Sequence, residues 1–468
     1  MGRYKSLALN TAIFGICSFT SKLLVFLMLP FYTTVLSKEE FGTADLINTI
    51  VGLLAPVFSL SIAHGVMRFA LDRGKDIEQV FTFGLKVSIG GIIFVCFCYP
   101  ILICIPVLRD YLWIFLLLYI TSIFHTLTGL FARGLNKMKY VGIAGVVSSL
   151  VVVLSNIILL FAFHCGVNGF LVSSIISNLV FIIILVVSCK MYKYVGGDNN
   201  KQLNKEMLAY SIPIIPNTLS WWIQHSANRY ILSYYCGVGD VGLYSAASKM
   251  PTIIDTFRGV FVQAWQLSTI TEYDKENSKM FFRNIYTLYN VFLIVSCSVL
   301  LIGSKLLASI LYSVEFYEAW TFTPLLIVGI LFSSLVAFYS PTYLAHKKTN
   351  KLFVSTALGA ALTIVVNLML VPRIGAIGSA VAVVISNIII FLYIHIDSRK
   401  YMAVKLGNFR IYLSYLVITI QGFLITFAKM HPMGVMSMLL TIIVFLLNTN
   451  EIKYLIIELY NKIKKKHI

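Results

Sequence analysis

Stretches of about 20 mostly apolar residues, the length a helix needs to cross a hydrocarbon layer, recur along the whole of this chain, separated by short polar breaks. They fall near 8–30, 43–66, 80–104, 112–131, 141–163, 168–189, 208–235, 241–265, 284–304, 319–343, 352–371, 376–396, 410–429 and 433–449, which makes fourteen. No segment is left over for a soluble domain. The expected fold is therefore an all-α polytopic membrane protein, because backbone groups inside a bilayer must find partners within their own segment. Composition agrees, with 59% hydrophobic and 12% charged residues against about 25% charged in soluble domains. The first span runs on from Ala8 without a small-residue cleavage site, so it is expected to be retained.

Orientation follows from counting Lys and Arg loop by loop, since inner loops carry the excess. With the N-terminus inside, the inner segments hold 27 and the outer loops hold 5, namely Lys38, Arg109, Lys305, Arg373 and Lys429. Both termini are expected in the cytoplasm. The basic residues are scattered over short loops, which speaks against nucleic-acid binding and for attraction to anionic lipid at the inner leaflet. Five of the 37 basic residues fall instead within the apolar spans: Lys22, Lys86, Arg229, Lys249 and Arg258.

The chain also repeats itself. Spans five and six carry Asn156, then Gly166-Val-Asn-Gly169, then Ser177-Asn178, and spans eleven and twelve carry Asn367, then Gly375-Ala-Ile-Gly378, then Ser386-Asn387. A weaker echo links Phe41-Gly-Thr-Ala-Asp45 with the turn from Val241 to Ala246. Six spans separate the copies, so they run in parallel. The expected organisation is an N-terminal six-helix lobe (1–192), a cytoplasmic linker (193–207) and a second six-helix lobe (208–400). Two additional transmembrane helices with a basic cytoplasmic tail (401–468) follow. Two lobes on a hinge suggest alternating access around a site near the bilayer midplane.

A charge at the centre of a spanning helix costs roughly 2.5 to 3.5 kcal/mol and normally faces a protein interior or a watery cavity. Lys86 lies close enough to a span end to snorkel. Lys22, Arg229 and Lys249 lie deeper, and with Arg258 they form the candidate substrate-binding set. The structural alternative is pairing: Asp255 lies three residues before Arg258 on one helical face, and Asp45 could meet Lys22. Even with those pairs the interior keeps an excess of positive charge, which favours an anionic ligand. Arg offers phosphate a planar fork and Lys a mobile point charge. Asp255, His64 and His225 are candidates for ion coupling or charge pairing, since His titrates near neutral pH. A hydrogen-bonded structural histidine is the simpler reading of each. Trp221, Trp222, Tyr234 and Tyr235 could stack on sugars or belong to an interfacial aromatic belt. The eight cysteines show no metal or redox spacing, and P-loop, Rossmann and metalloprotease patterns are absent. No cofactor, no metal and no enzymatic activity are expected.

The stretch TSKLLVFLMLPFYTTVLSKEEFGTAD (Thr20 to Asp45), its counterpart RYILSYYCGVGDVGLYSAASKM (Arg229 to Met250), the duplicated Asn, Gly-x-x-Gly, Ser-Asn pattern and the basic loop after span four carry a resemblance. Over roughly residues 1 to 400 the chain resembles the polysaccharide transporter branch of the multidrug, oligosaccharidyl-lipid and polysaccharide exporter superfamily. That resemblance implies a flippase of the bacterial inner membrane, carrying undecaprenyl-pyrophosphate-linked O-antigen or capsule repeat units to the outer leaflet. Implied partners are the lipid-linked anionic oligosaccharide, membrane lipids and polysaccharide polymerase machinery. A lipid II flippase or a drug antiporter would share the lobes, although a carrier of cations should favour acidic residues. A membrane polymerase or ligase should carry a longer outer loop than the one of about 14 residues here.

Overall fold

The computed structural model describes residues 15, 17, 19–24, 26–72, 76–197, 200–272, 278–345, 349–400, 408–451 and 453. Arg3, Lys5, Arg73, Lys75, Lys275, Lys347, Lys348, Lys405 and the tail from Lys462 lie outside them, so the two termini of the orientation argument do too. Among the described residues the regular structure is all helical, and nine helices are long and apolar enough to cross a membrane. The chain is an integral membrane protein. It divides into two compact units: Met1–Ser233 with Gly237–Gly242, and Tyr234–Cys236 with Leu243–Ile468.

The first unit contains α1 (Leu29–Val35), α2 (Lys38–Phe58), α3 (Ile62–Ala70), α4 (Ile77–Phe97), α5 (Leu112–Gly134), α6 (Met138–Asn156), α7 (Gly166–Ser188), α8 (Lys201–Ser211) and most of α9 (Ile215–Cys236). α2 begins on a capping box, in which Ser37 Oγ accepts from the Glu40 amide at 3.2 Å and Glu40 Oε2 accepts from the Ser37 amide at 2.9 Å. The apolar stretch 43–66 is not one helix. Leu60 and Ser61 take φ of 52° and 50°, a left-handed break that separates α2 from α3 just after Pro56. α4 crosses this break at Gly91, where any side chain would overlap the Phe58 carbonyl. Ile62, Val66, Phe81, Leu127, Phe131, Leu185 and Met207 join α3, α4, α5, α7 and α8 in one buried cluster, with Phe81 and Phe131 stacked at 4.2 Å. Ile47, Phe115, Tyr119 and Leu171 form a second cluster between α2, α5 and α7.

The second unit contains most of α10 (Val238–Lys249), then α11 (Thr252–Glu272), α12 (Ser278–Leu311), α13 (Thr323–Ala345), α14 (Thr349–Ser398), α15 (Phe409–Phe427) and α16 (Val435–Leu447). α13 is largely enclosed, with Leu325, Ile327, Val328, Leu331, Leu335, Phe338 and Tyr339 all fully buried. α14 covers two of the stretches expected from sequence, joined by a kink at Ile374 and Gly375. The kink bears on the repeat, because Gly375 has φ +56° and its counterpart Gly166 has φ +49°. Two glycines matched by spacing thus both take positive φ, which glycine enters without steric cost. α15 and α16 are tied by side chains rather than by shape alone. Gln421 Nε2 donates to Ser437 Oγ at 2.7 Å and to Thr441 Oγ1 at 3.1 Å, and Asn448 Nδ2 donates to Ser414 Oγ at 2.7 Å. Hydrogen bonds of this kind hold helices together where lipid tails remove the hydrophobic incentive.

Candidate functional site

α9 carries Arg229 on a helix of mixed character, with Asn217, Gln224, His225 and Asn228 among its apolar and aromatic residues, and it is not one of the nine described helices that are long and apolar enough to cross a membrane. Pro216 sits in its first turn, where the missing amide costs nothing. Trp222, Arg229 and Tyr230 follow at seven- and eight-residue spacing, one face of a helix, and that face lies on α2. Arg229 Nε meets Asp45 Oδ2 at 2.5 Å, with the two side chains 13% and 17% exposed. Tyr230 OH is 2.6 Å from Thr49 Oγ1 and donates to the Leu46 carbonyl at 3.1 Å. Trp222 Nε1 donates to the Thr49 carbonyl at 2.8 Å. The second arm of the Arg229 fork reaches the His225 carbonyl at 2.7 Å. The His225 ring stacks on Trp221 at 4.2 Å, with Nδ1 2.8 Å from the Trp221 carbonyl.

One turn toward the start of α2, two glycines press backbone against backbone. A side chain at Gly42 would overlap the Val238 carbonyl, and one at Gly242 would overlap the Lys38 carbonyl. These are the two glycines of the weak echo between the turns at 41–45 and 241–246. Glu39 lies beside Gly239 in the first turn of α10, where a carboxylate complements the amide end of the helix.

The remaining candidates are distributed as follows. Lys22 is exposed on the helical stretch that precedes α1, and His64 is half-buried on α3 among the first buried cluster. Lys249 closes α10, half-buried, and its carbonyl accepts from Thr252 Oγ1. Asp255 and Arg258 form an ion pair along α11, and Arg258 Nη1 also donates to Ser333 Oγ on α13 at 3.2 Å. Lys249, Asp255 and Arg258 belong to the second unit and Arg229 to the first. Each arginine of the set therefore already holds a carboxylate. Chemically, a guanidinium held this way can exchange its carboxylate for a phosphate oxygen, because both present the same pair of acceptors to the planar fork.

Sequence reasoning named Lys22 as a possible partner of Asp45 and did not foresee that Arg229 also meets this carboxylate, nor the role of Thr49. The signal was present: Asp45, Leu46 and Thr49 share a helical face, and Asp45 is an acid at the edge of an apolar span. A second buried polar group in the second unit also went unremarked. His395 Nδ1 lies 2.7 Å from Tyr339 OH and Nε2 lies 3.0 Å from Tyr412 OH. Two residues on, Asp397 accepts from Tyr343 OH at 3.0 Å and lies 3.6 Å from the Nζ atoms of Lys351 and Lys400.

Residues 7–266 match the family described as polysaccharide biosynthesis protein. Among solved structures, the fold is similar to the lipid II flippase MurJ in an inward closed conformation. The TM-score is 0.70 at 15% identity, over 96% of this chain and 100% of that one. It is also similar to an inward-facing multidrug resistance MATE family transporter of the MOP superfamily, at TM-score 0.67 and 13% identity, over 82% of this chain and 94% of that one. A point mutant of the Vibrio cholerae MATE transporter VcmN matches at TM-score 0.57 and 15% identity, over 86% of this chain and 99% of that one. A comparison with curated protein sequences finds no match.

Proposed function

Because the chain belongs to the polysaccharide biosynthesis protein family, we propose that it is a flippase for undecaprenyl-pyrophosphate-linked oligosaccharide repeat units, moving them to the outer leaflet of a bacterial inner membrane. The likeness to MurJ and MATE transporters supplies the fold for this reading. The observation that carries the substrate class is the charge inside the fourteen stretches expected to span: five basic residues, Lys22, Lys86, Arg229, Lys249 and Arg258, against two acids, Asp45 and Asp255. A chain that accepts the cost of such an excess in a bilayer is built to meet negative charge, and pyrophosphate is the negative part of a lipid-linked sugar. Arg229 and Lys249 are the residues assigned to the pyrophosphate, Lys22 and Arg258 complete the candidate set, and Arg229 exchanges Asp45 for a phosphate oxygen as substrate enters. Asp255, His64 and His225 remain the candidates for ion coupling or charge balance.

The proposal includes alternating access between six-helix lobes of residues 1–192 and 208–400, joined by 193–207 and followed by the helices of 401–468. The positive φ found at both Gly166 and Gly375 is consistent with the duplication. It includes cytoplasmic termini, supported by the 27 to 5 distribution of Lys and Arg. Polysaccharide polymerase machinery would act on the product. A lipid II flippase is the second reading, favoured by the fold likeness that extends over 96% of the chain, and it shares the same pyrophosphate chemistry.

The test is complementation of a strain depleted of this protein with the variant Arg229→Gln/Lys249→Gln. Surface polysaccharide should fall at least about tenfold, the worth of one lost charge-assisted contact, while the protein remains inserted. Full activity of the double variant would sink the assignment.

A further inference from the structure

At one end of the second unit a cavity of about 370 Å³ opens between the start of α12, the start of α15 and the residues just after α16. That volume is within the range of sites that hold a small molecule or a headgroup. Its polar lining is Arg283, Asn284, Asn408, Asn450 and Glu451. Among the described residues none of these five side chains has a protein hydrogen-bond or ion-pair partner, and Glu451 Oε2 is fully buried without a donor. That oxygen has no surface open to the cavity, so it is the accessible part of the half-buried Glu451 side chain that a ligand in the cavity would meet. The other four side chains are exposed and free to turn toward the same ligand. The lining combines one fixed cation, one carboxylate and three amides, and this composition selects among ligands. A purely anionic headgroup would meet Arg283 but leave Glu451 facing like charge. A quaternary amine has no N–H to give to the Glu451 carboxylate, whereas a primary ammonium has three.

The surroundings identify the source. Met280, also in the lining, is 71% exposed, and Phe409, beside Asn408, is 79% exposed. On a membrane protein such apolar side chains face acyl chains. The three segments that meet here, around Arg283, Arg410 and Lys453, are three that the basic-residue count independently places on the inner side. The cavity thus sits at the headgroup level of the inner leaflet, on the proposed orientation.

We infer that this cavity is a binding site for the phosphoethanolamine headgroup of an inner-leaflet lipid, with Arg283 on the phosphate and Glu451, assisted by the asparagine amides, on the primary ammonium. The site is separate from the residues proposed to contact transported substrate, and its test does not depend on transport. Full-length protein stripped of lipid in detergent would be titrated with dioleoyl phosphatidylethanolamine, dioleoyl phosphatidylcholine and dioleoyl phosphatidylglycerol, and bound lipid counted by native mass spectrometry. Phosphatidylethanolamine should be retained about tenfold better than phosphatidylcholine. Glu451→Gln should reduce that preference to within about twofold. Arg283→Gln should weaken phosphatidylethanolamine and phosphatidylglycerol alike, and this variant carries the test should the first fail to fold. Equal retention of the three lipids by wild-type protein would overturn the site. So would a preference that survives both substitutions. Displacement of the lipid by an equal concentration of free phosphoethanolamine would overturn its assignment to a lipid.

Discussion

Asp45 and Arg229 are 184 residues apart in the chain and 2.5 Å apart in the structure, and the energetics of such a pair are asymmetric. Removing one partner leaves the other charge in surroundings that solvate it poorly, whereas removing both leaves little to compensate. Asp45→Asn is therefore expected to lower stability by about 1–3 kcal/mol. Asp45→Asn/Arg229→Gln should lose less than the sum of its parts, by about 0.5–3 kcal/mol of coupling. Thermal unfolding of the four proteins in detergent measures this directly, and strict additivity would mean that the pair contributes nothing. The residue scale is also where sequence was least informative. A guanidinium in an apolar span stands out at once, but its partner is set by how α9 lies on α2. Asp255 and Arg258 were legible for the opposite reason, because three residues along one helix fix their proximity. His395 falls in the last turn of the stretch 376–396, just before Asp397, Arg399 and Lys400, and its placement between Tyr339 and Tyr412 is set by tertiary packing that spacing does not reveal.

At the scale of elements, glycine separates two kinds of constraint. Gly375 needs freedom of backbone: its φ is +56°, while the Cys236 sulfur stands 3.7 Å from where a methyl group would sit, an ordinary contact. Gly375→Ala should then cost about 1–3 kcal/mol of stability, because φ +56° with ψ −137° is a conformation that L-residues other than glycine scarcely adopt. Gly242 needs freedom of space. It lies within α10, where alanine would add about 0.5–1 kcal/mol through helix propensity, yet its methyl would overlap the Lys38 carbonyl. Gly242→Ala should accordingly be the more damaging change, with a sign opposite to propensity, read as a drop in melting temperature and in surface polysaccharide. A stabilised Gly242→Ala would show that the close approach of α2 and α10 is not required. The recurrence of Gly-x-x-Gly is visible in the spacing, whereas the positive φ at Gly166 and Gly375 is seen only in the structure. Nor could spacing reveal the break between α2 and α3, since Leu60 and Ser61 are ordinary residues held at positive φ by Pro56 and the passing backbone of α4.

For the molecule as a whole, the sequence shows an all-helical membrane protein plainly, because stretches of the right length and hydropathy need no tertiary information. How many of the fourteen stretches span is harder to read, since α14 joins two of them and 43–66 is divided by its break. Orientation is open to a direct check on exposed positions. In a cysteine-free background, Arg109→Cys should react with a membrane-impermeant maleimide in intact cells, and Lys137→Cys should react only after permeabilisation. The reverse pattern would invert the topology and with it the direction of transport. The central claim is translocation of a lipid-linked, pyrophosphate-bearing sugar, and it is tested most directly by leaflet-specific labelling of lipid-linked oligosaccharide in cells depleted of this protein. The account predicts that the lipid-linked unit accumulates with its sugar facing the cytoplasm. Normal exposure of single units on the outer face would place the block downstream, at polymerisation or ligation, and would contradict the flippase assignment.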